Sequence, residues 1–333
     1  GHQSLIIPNG KALEIMPNLG IEFFTLDRAL EVAPLPNVVV TSMCSDGGIG
    51  RNFVPIMNMA GIPVVAFQDY WGTRLVDSWQ EPKYRPDYIC TNDQICADLI
   101  KKAWPDFDQR RVKKTGFPML DQYANKNLDK TEARKNVASK LGLKKDWPIV
   151  ACPVGIFGGA SQTLDEVGRA LKQTGMNAYF IPRYHPRMAQ NAPEEVGLWA
   201  EALKTYGKEG LVADSSSCKT PEILEAADLI ISEFSTSLLE AAVLGKPGIS
   251  VFYLSSARKL FHKEFGDLMA QPPFVTLGLT YSAKDTEDLT KLIAEILSRL
   301  DENLLNPAQL DFVQKHVDGK NAQRVAKFVD SLV

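Results

Sequence analysis

The residues best placed to do chemistry in this 333-residue chain sit where apolar, strand-like runs give way to small polar turns. The most informative segment is ADLIISEFSTSLLEAAVLGKPGISVF, Ala227 to Phe252. A strand ends at Ser232, the turn Ser235-Thr236-Ser237 opens a helix, and the helix stops at Gly245 before Lys246-Pro247 leads into another strand. Hydroxyls and unpaired backbone N–H groups at a helix start make an anion site, because the helix dipole and the donors converge there. Ordinary N-capping accounts for the same residues without a ligand. Glu240, one turn along, is spaced to meet a ribose hydroxyl pair or simply to stand in solvent.

Other loops have the same position. Gly155-Ile156-Phe157-Gly158-Gly159-Ala160 follows a strand and precedes a helix, and glycines there allow close approach of a ligand to the backbone. The loop lacks GxGxxG spacing and no GxxxxGK[ST] occurs, so neither a nicotinamide cofactor nor an ATPase loop is supported. Asp46 and Asp69 each lie near glycine at the carboxyl end of a strand, and either side chain serves equally well to fix a turn. No metal is expected: His2, His185, His262 and His316 are far apart with no HExxH or HxH, and the nearest cysteines, Cys90 and Cys96, lack zinc spacing.

Positioning such loops takes parallel sheets, and the pattern supplies them. Val- and Ile-rich runs alternate with helical periods, as in sheets covered by helices on both faces. Strands are expected near Leu5–Pro8, Glu22–Leu26, Asn37–Ser42, Pro63–Gln68, Asp87–Thr91 and Arg111–Thr115, with helices near Asn52–Ala60 and Asp93–Trp104. A second series has strands near Pro148–Pro153, Ala178–Pro182, Gly210–Ala213, Leu229–Ser232 and Gly248–Phe252. Amphipathic helices follow at Leu289–Leu300 and Val325–Leu332. The expected organisation is an N-terminal domain at 1–120, a linker at 121–132, a second domain at 133–315 and a closing helix at 316–333 packing back toward the first. Two such domains would face each other across a cleft, with ligands beyond the strand ends.

Composition agrees with a folded protein: 45% hydrophobic, 23% charged, 9% aromatic, net charge -3. These values exclude disorder, collagen-like repeats and a disulfide miniature, and give no support for a nucleic-acid-coating surface. No run approaches the ~18–20 apolar residues of a membrane helix. Five scattered cysteines suit reduced thiols in the cytoplasm. The start, Gly1-His2-Gln3-Ser4, has no initiator Met and no signal-peptide pattern, and reads as a tag scar or a trimmed N-terminus.

The 227–252 segment is similar to the nucleotide-binding segment of GT-B glycosyltransferases, in particular the MurG-like and CDP-glycerol glycerophosphotransferase-like branches and the related UDP-N-acetylglucosamine 2-epimerases. TGFPMLDQY, Thr115 to Tyr123, resembles the TGNP-x-x-D segment of the epimerases. RYHPRM, Arg183 to Met188, resembles the HP motif of polyol-phosphate transferases, and DGKNAQRVAKFV, Asp318 to Val329, resembles the closing helix of the group. The resemblance implies two Rossmann-like domains. It also implies that Ser235, Thr236 and Ser237 hold the donor diphosphate, Glu240 the ribose and His185 a phosphate oxygen, with Arg183 adding charge and Gly155, Gly158 and Gly159 lying under the donor. An inverting transferase needs a base for the acceptor hydroxyl; Asp69 is the first choice and Asp46 the second. Tyr70, Trp71 and Arg74 are either an acceptor platform or interface core. Gln68 and Asp69 stand where the epimerases carry HxE.

The implied function is transfer of a sugar or polyol phosphate from a nucleotide-activated donor to a sugar, polyol or lipid-linked acceptor in cell-envelope synthesis. No cofactor or metal is expected, and peripheral membrane contact is compatible. The alternatives are a nucleotide-sugar 2-epimerase or hydrolase and a non-catalytic nucleotide-sugar binder.

Overall fold

The computed structural model describes residues 4–8, 16–20, 22–25, 28, 35–43, 49–68, 70–124, 130–155, 159–183, 188, 192–206, 217–300, 302 and 306–333. The chain forms two compact units, Gly1–Gly116 with Gln323–Val333, and Phe117–Ala322.

Unit 1 is built on four parallel strands, β1 (Val39–Ser42), β2 (Val64–Phe67), β3 (Tyr88–Thr91) and β4 (Val112–Lys114), in spatial order β1-β2-β3-β4. Val39 pairs with Val64, Val65 with Tyr88 and Ile89 with Val112. Val64, Val65 and Ala66 are wholly buried because both faces of β2 are covered, which is why its sequence is a continuous apolar run. The Ile49–Met59 helix lies so close to β1 that a Cβ on Gly50 would stand 1.9 Å from Thr41 Oγ1, so any larger residue there requires Thr41 to shift. Asp93 caps the Gln94–Ala103 helix by accepting from the Cys96 N–H at 2.9 Å. From the closing helix, Asn321–Asp330, Phe328 meets the Tyr88 ring at 5.3 Å and Arg324 Nε donates to the Thr115 carbonyl at 3.0 Å.

The strands expected near Leu5–Pro8 and Glu22–Leu26 are not formed by the described residues of those segments. A backbone bond from Phe24 to the Ile6 carbonyl links them at 2.9 Å without a ladder. Apolar alternation decides which side chains face inward but supplies no partner strand.

Unit 2 has strands β5 (Ile149–Pro153), β6 (Tyr179–Arg183), β7 (Leu229–Ser232), β8 (Gly248–Ser250) and β9 (Tyr281–Ser282), all parallel in the order β6-β5-β7-β8-β9. Helices Ala160–Gln173, Pro193–Tyr206 and Thr286–Ser298 bury Leu164, Trp199 and Ile293 against Val150, Phe180 and Ile231 of the sheet. Pro118–Tyr123 is a 3-10 helix whose Leu120 and Tyr123 are buried, so the segment expected to link the domains opens inside unit 2. Asp121 of that turn accepts from the Asn321 and Ala322 N–H groups at 3.1 and 2.8 Å. The strand expected at 210–213 lies outside the described residues. Helices Ser255–Phe265 and Pro307–His316 were not anticipated by the apolar periodicity.

Among the described residues no helix is long and apolar enough to cross a membrane, and no group of three or more His, Cys, Asp or Glu side chains is arranged to hold a metal ion. Cys90, Cys96, Cys152 and Cys218 are buried, and burial pushes the Cys90 thiol up to about 11. Cys44 lies outside the described residues.

Candidate functional site

In unit 2 the strand ends open into a pocket of about 100 Å³, lined among others by Gly155, Gly159, Glu233, Phe234, Ser235 and Ser256. Gly155 follows β5 and Glu233 follows β7, the central pair of the sheet. Gly159 precedes the Ala160–Gln173 helix, Ser235 caps the Thr236–Val243 helix, and Ser256 lies in the first turn of the Ser255–Phe265 helix. The pocket is therefore bordered by several helix starts, whose dipoles and backbone donors together favour an anion.

Local chemistry explains each position. Ser235 Oγ accepts from the Ser237 N–H at 3.2 Å and lies 3.2 Å from Ser237 Oγ, so both hydroxyls take part in the cap. Ser235 and Thr236 are half-buried while Ser237 is buried. Gly159 has φ +101°, and a Cβ there would lie 3.0 Å from the Ser256 Cβ. The donors beside it are already engaged: Gly159 and Ser161 donate to the two oxygens of the buried Glu195 carboxylate, at 2.5 and 2.7 Å. Glu233 accepts from Thr163 Oγ1 at 2.6 Å, and burial raises its pKa against hydrogen bonds from Thr163, its own backbone, Ser232 and Gly155.

Glu240 is buried one turn into the Thr236–Val243 helix and accepts from the Tyr123 hydroxyl; burial raises its pKa, opposed by that hydrogen bond. Arg183 ends β6 with its Nε donating to Thr220 Oγ1 at 2.8 Å, and does not line the pocket. The structure thus gathers Gly155, Gly159 and Ser235, with Thr236 and Ser237 on the same turn. His185, Gly158, Asp46 and Asp69 lie outside the described residues. Sequence reasoning missed Glu195 and Ser256 as parts of the site. The Ser255-Ser256 pair after β8 was a readable signal, being another hydroxyl turn after a strand, whereas Glu195 gave none.

Lys246 of the LGKP turn is structural. It is buried, and its Nζ donates to the Ala227 carbonyl at 2.9 Å. Burial, reinforced by the charge of Lys130, pulls its pKa down to about 8 from 10.5. A lysine that holds its proton less tightly when folded makes stability rise with pH across the interval between those values. The gain is expected to reach about 3 kcal/mol, and Lys246→Met should remove this slope in denaturant melts across that interval.

In unit 1 the residues expected as acceptor platform or interface core are largely buried. Trp71 is wholly buried, with its Nε1 donating to Asp93 Oδ2 at 2.7 Å, and Tyr70 packs edge-on against it with ring centroids 5.4 Å apart. Burial also raises the Tyr70 pKa. Both adjacent aromatics at this strand end bury their apolar area. Arg74 adopts φ +62° and pairs with Asp77 at 2.8 Å. Gln68, just after β2, is 1% exposed, and both polar atoms of its side chain lack a hydrogen-bond partner among the described residues. An unpaired buried amide costs stability that an apolar group of similar shape does not. Gln68→Leu is therefore expected to raise stability by about 1–2 kcal/mol, read as a higher melting midpoint; an unchanged or lower midpoint contradicts the unpaired state.

The comparisons give these units a lineage. Residues 64–331 match the family model described as CDP-Glycerol:Poly(glycerophosphate) glycerophosphotransferase. A teichoic acid glycerol-phosphate primase of Bacillus subtilis (strain 168) is 19% identical over 254 residues, covering 74% of this chain and 58% of that protein. The chain thus spans a little over half the length of this curated relative. Among solved structures, the wall teichoic acid polymerase TagF superposes with TM-score 0.51 at 16% identity over 81% of this chain and 68% of that one. The UDP complex of S. aureus MnaA superposes with TM-score 0.66 at 12% identity, over 99% and 89%. At these identities the likeness concerns the fold, and that fold is GT-B. Because the family model runs from β2 through the pocket-bearing sheet into the closing helix, the chain belongs to the CDP-glycerol:poly(glycerophosphate) glycerophosphotransferase family.

Proposed function

We propose that this chain transfers glycerol phosphate, or a closely related polyol phosphate, from a cytidine-diphosphate-activated donor to an acceptor hydroxyl during synthesis of a cell-envelope polymer. The observation that carries the reading is the unit 2 pocket, where helix starts and the Ser235 turn converge at the strand ends of a chain in this family. The donor diphosphate is assigned to Ser235, Thr236 and Ser237, against the glycine loop of Gly155, Gly158 and Gly159, with His185 supplying positive charge. Glu240 takes the ribose, exchanging its Tyr123 hydrogen bond for the sugar hydroxyls.

In the reaction the acceptor oxygen attacks the phosphorus that bears the polyol. The bond from that phosphorus to the bridging oxygen breaks, CMP leaves with the electron pair, and the acceptor proton passes to a carboxylate, Asp69 by first choice and Asp46 by second. Helix starts and hydroxyls stabilise the charge gathering on the departing nucleotide. This scheme assigns no step to a cofactor or metal, so turnover is expected to persist in EDTA. Acceptors of this chemistry are sugars, polyols or lipid-linked polymers, and a lipid-linked one brings the protein to a membrane surface without a spanning helix.

The test is thermal-shift titration with CDP-glycerol against UDP-N-acetylglucosamine, followed by product analysis with an acceptor. CDP-glycerol at 100 times its Kd should stabilise the protein by about 2.7 kcal/mol, and CMP release should depend on acceptor. Asp69→Asn should abolish release and keep the shift. Stabilisation and turnover by the UDP-sugar alone would make the protein an epimerase or hydrolase, and stabilisation without any product would make it a binder.

A further inference from the structure

We infer that the outer strand of unit 1 carries a docking ridge for a phosphodiester polyanion, apart from the donor pocket. The chain has net charge -3, yet Arg110-Arg111-Val112-Lys113-Lys114 places four cations in five residues, running into and along β4. β4 ends the spatial order of its sheet and pairs with β3. Successive side chains of a strand point to opposite faces. Accordingly Lys113 lies over the Phe328 ring of the closing helix at 5.6 Å, and Lys114 Nζ donates to Gln94 Oε1 of the other flanking helix at 2.9 Å. Both direct partners are neutral, and neither ammonium forms an ion pair among the described residues, although Gln94 itself donates to Asp98 at 2.8 Å. Lys101 and Lys327 are exposed on those same two helices.

In the Gln109–Arg111 turn before the strand the compensation is partial. Arg110 pairs with Asp108 at 2.9 Å while its side chain stays 90% exposed, and Arg111 lies 3.8 Å from Asp87. A lysine or two is enough to keep an edge strand from pairing with another chain. Two lysines on this short strand and two arginines in the turn that leads into it, with lysines on both neighbouring helices, exceed that need and make residues 110–114 a cationic edge of the sheet. A ridge of this kind fits a flexible chain with charges at regular intervals, each phosphate meeting a cation in turn while counterions are released. The occupant is a polyol-phosphate polymer, the growing acceptor; its identity as polymer rests on the proposed function, whereas the position of the ridge does not.

The experiment uses the full chain and fluorescence anisotropy with end-labelled 1,3-poly(glycerol phosphate). Wild type is expected to bind with strong salt dependence. The variant carrying R110Q, R111Q, K113Q and K114Q should bind at least tenfold more weakly, its slope of log affinity against log salt shallower by about 3 for four lost contacts. Its CDP-glycerol thermal shift should be unchanged, and the pair K113Q/K114Q serves if the larger variant does not fold. Equal polymer affinity in wild type and variant, or no polymer binding by wild type, overturns the proposal. So does charge-dependent binding to phosphatidylglycerol vesicles in the absence of polymer binding, which would make the ridge a membrane contact. Ridge-dependent polymer binding without any response to CDP-glycerol would leave the ridge standing and remove the donor assignment.

Discussion

Asp228→Asn is expected to destabilise unit 2 by about 3–5 kcal/mol, the cost of removing one partner from a buried charge cluster. Asp228 is buried between β5 and β7, where Oδ2 accepts from the Ile149 N–H and from Arg134 Nη1, each at 2.8 Å, and Oδ1 meets Lys130 Nζ at 2.9 Å. Asparagine leaves Arg134 and the strand end without their anion. Burial alone would raise the Asp228 pKa, but the Ile149 N–H and the Lys130 and Arg134 charges outweigh it and hold the carboxyl below 3.8. A depressed carboxylate contributes stability that is fully present above the unfolded value and is lost as pH falls through the folded one. Denaturant melts should therefore show a large gap between wild type and variant at neutral pH that closes in acid. A gap of constant size would mean that the lost stability came from packing and not from charge.

Gly159→Val is expected to abolish the CDP-glycerol thermal shift and to lower stability by about 2–3 kcal/mol. Two effects combine at this position. A β-branched residue is strained at φ +101°, and its Cβ would stand 3.0 Å from Ser256 Cβ in the pocket. Gly175→Ala separates them, since Gly175 has φ +70° with nothing within 4 Å of its would-be Cβ. That control should lose stability through strain and keep its response to donor. Full donor binding by the Gly159 variant would place the diphosphate elsewhere.

Much of this architecture was legible from periodicity. The runs giving β2, β3, β5, β6 and β7 are continuous and apolar because those strands are covered on both faces, and that pattern is a local property of the sequence. The Ser235 turn was legible because N-caps draw on few residue types. Leu5–Pro8 and Glu22–Leu26 misled because alternation without a partner strand looks the same as alternation with one. Glu195 was invisible for a related reason: it lies 36 residues from Gly159, and one glutamate early in a helix signals nothing until folding brings it to another helix start.

The sequence alone determined the two α/β series, the hydroxyl turn that begins the Thr236–Val243 helix and the family resemblance, all of which reside in short stretches whose physics is local. The tertiary structure decided what those stretches became. It buried Trp71 against Asp93, turned Glu240 toward Tyr123, met the Gly159 donors with Glu195 and set the Lys113 and Lys114 charges beside neutral partners. Each of those outcomes depends on groups distant in sequence becoming neighbours, since desolvation and hydrogen-bond pairing take effect only where the fold excludes water.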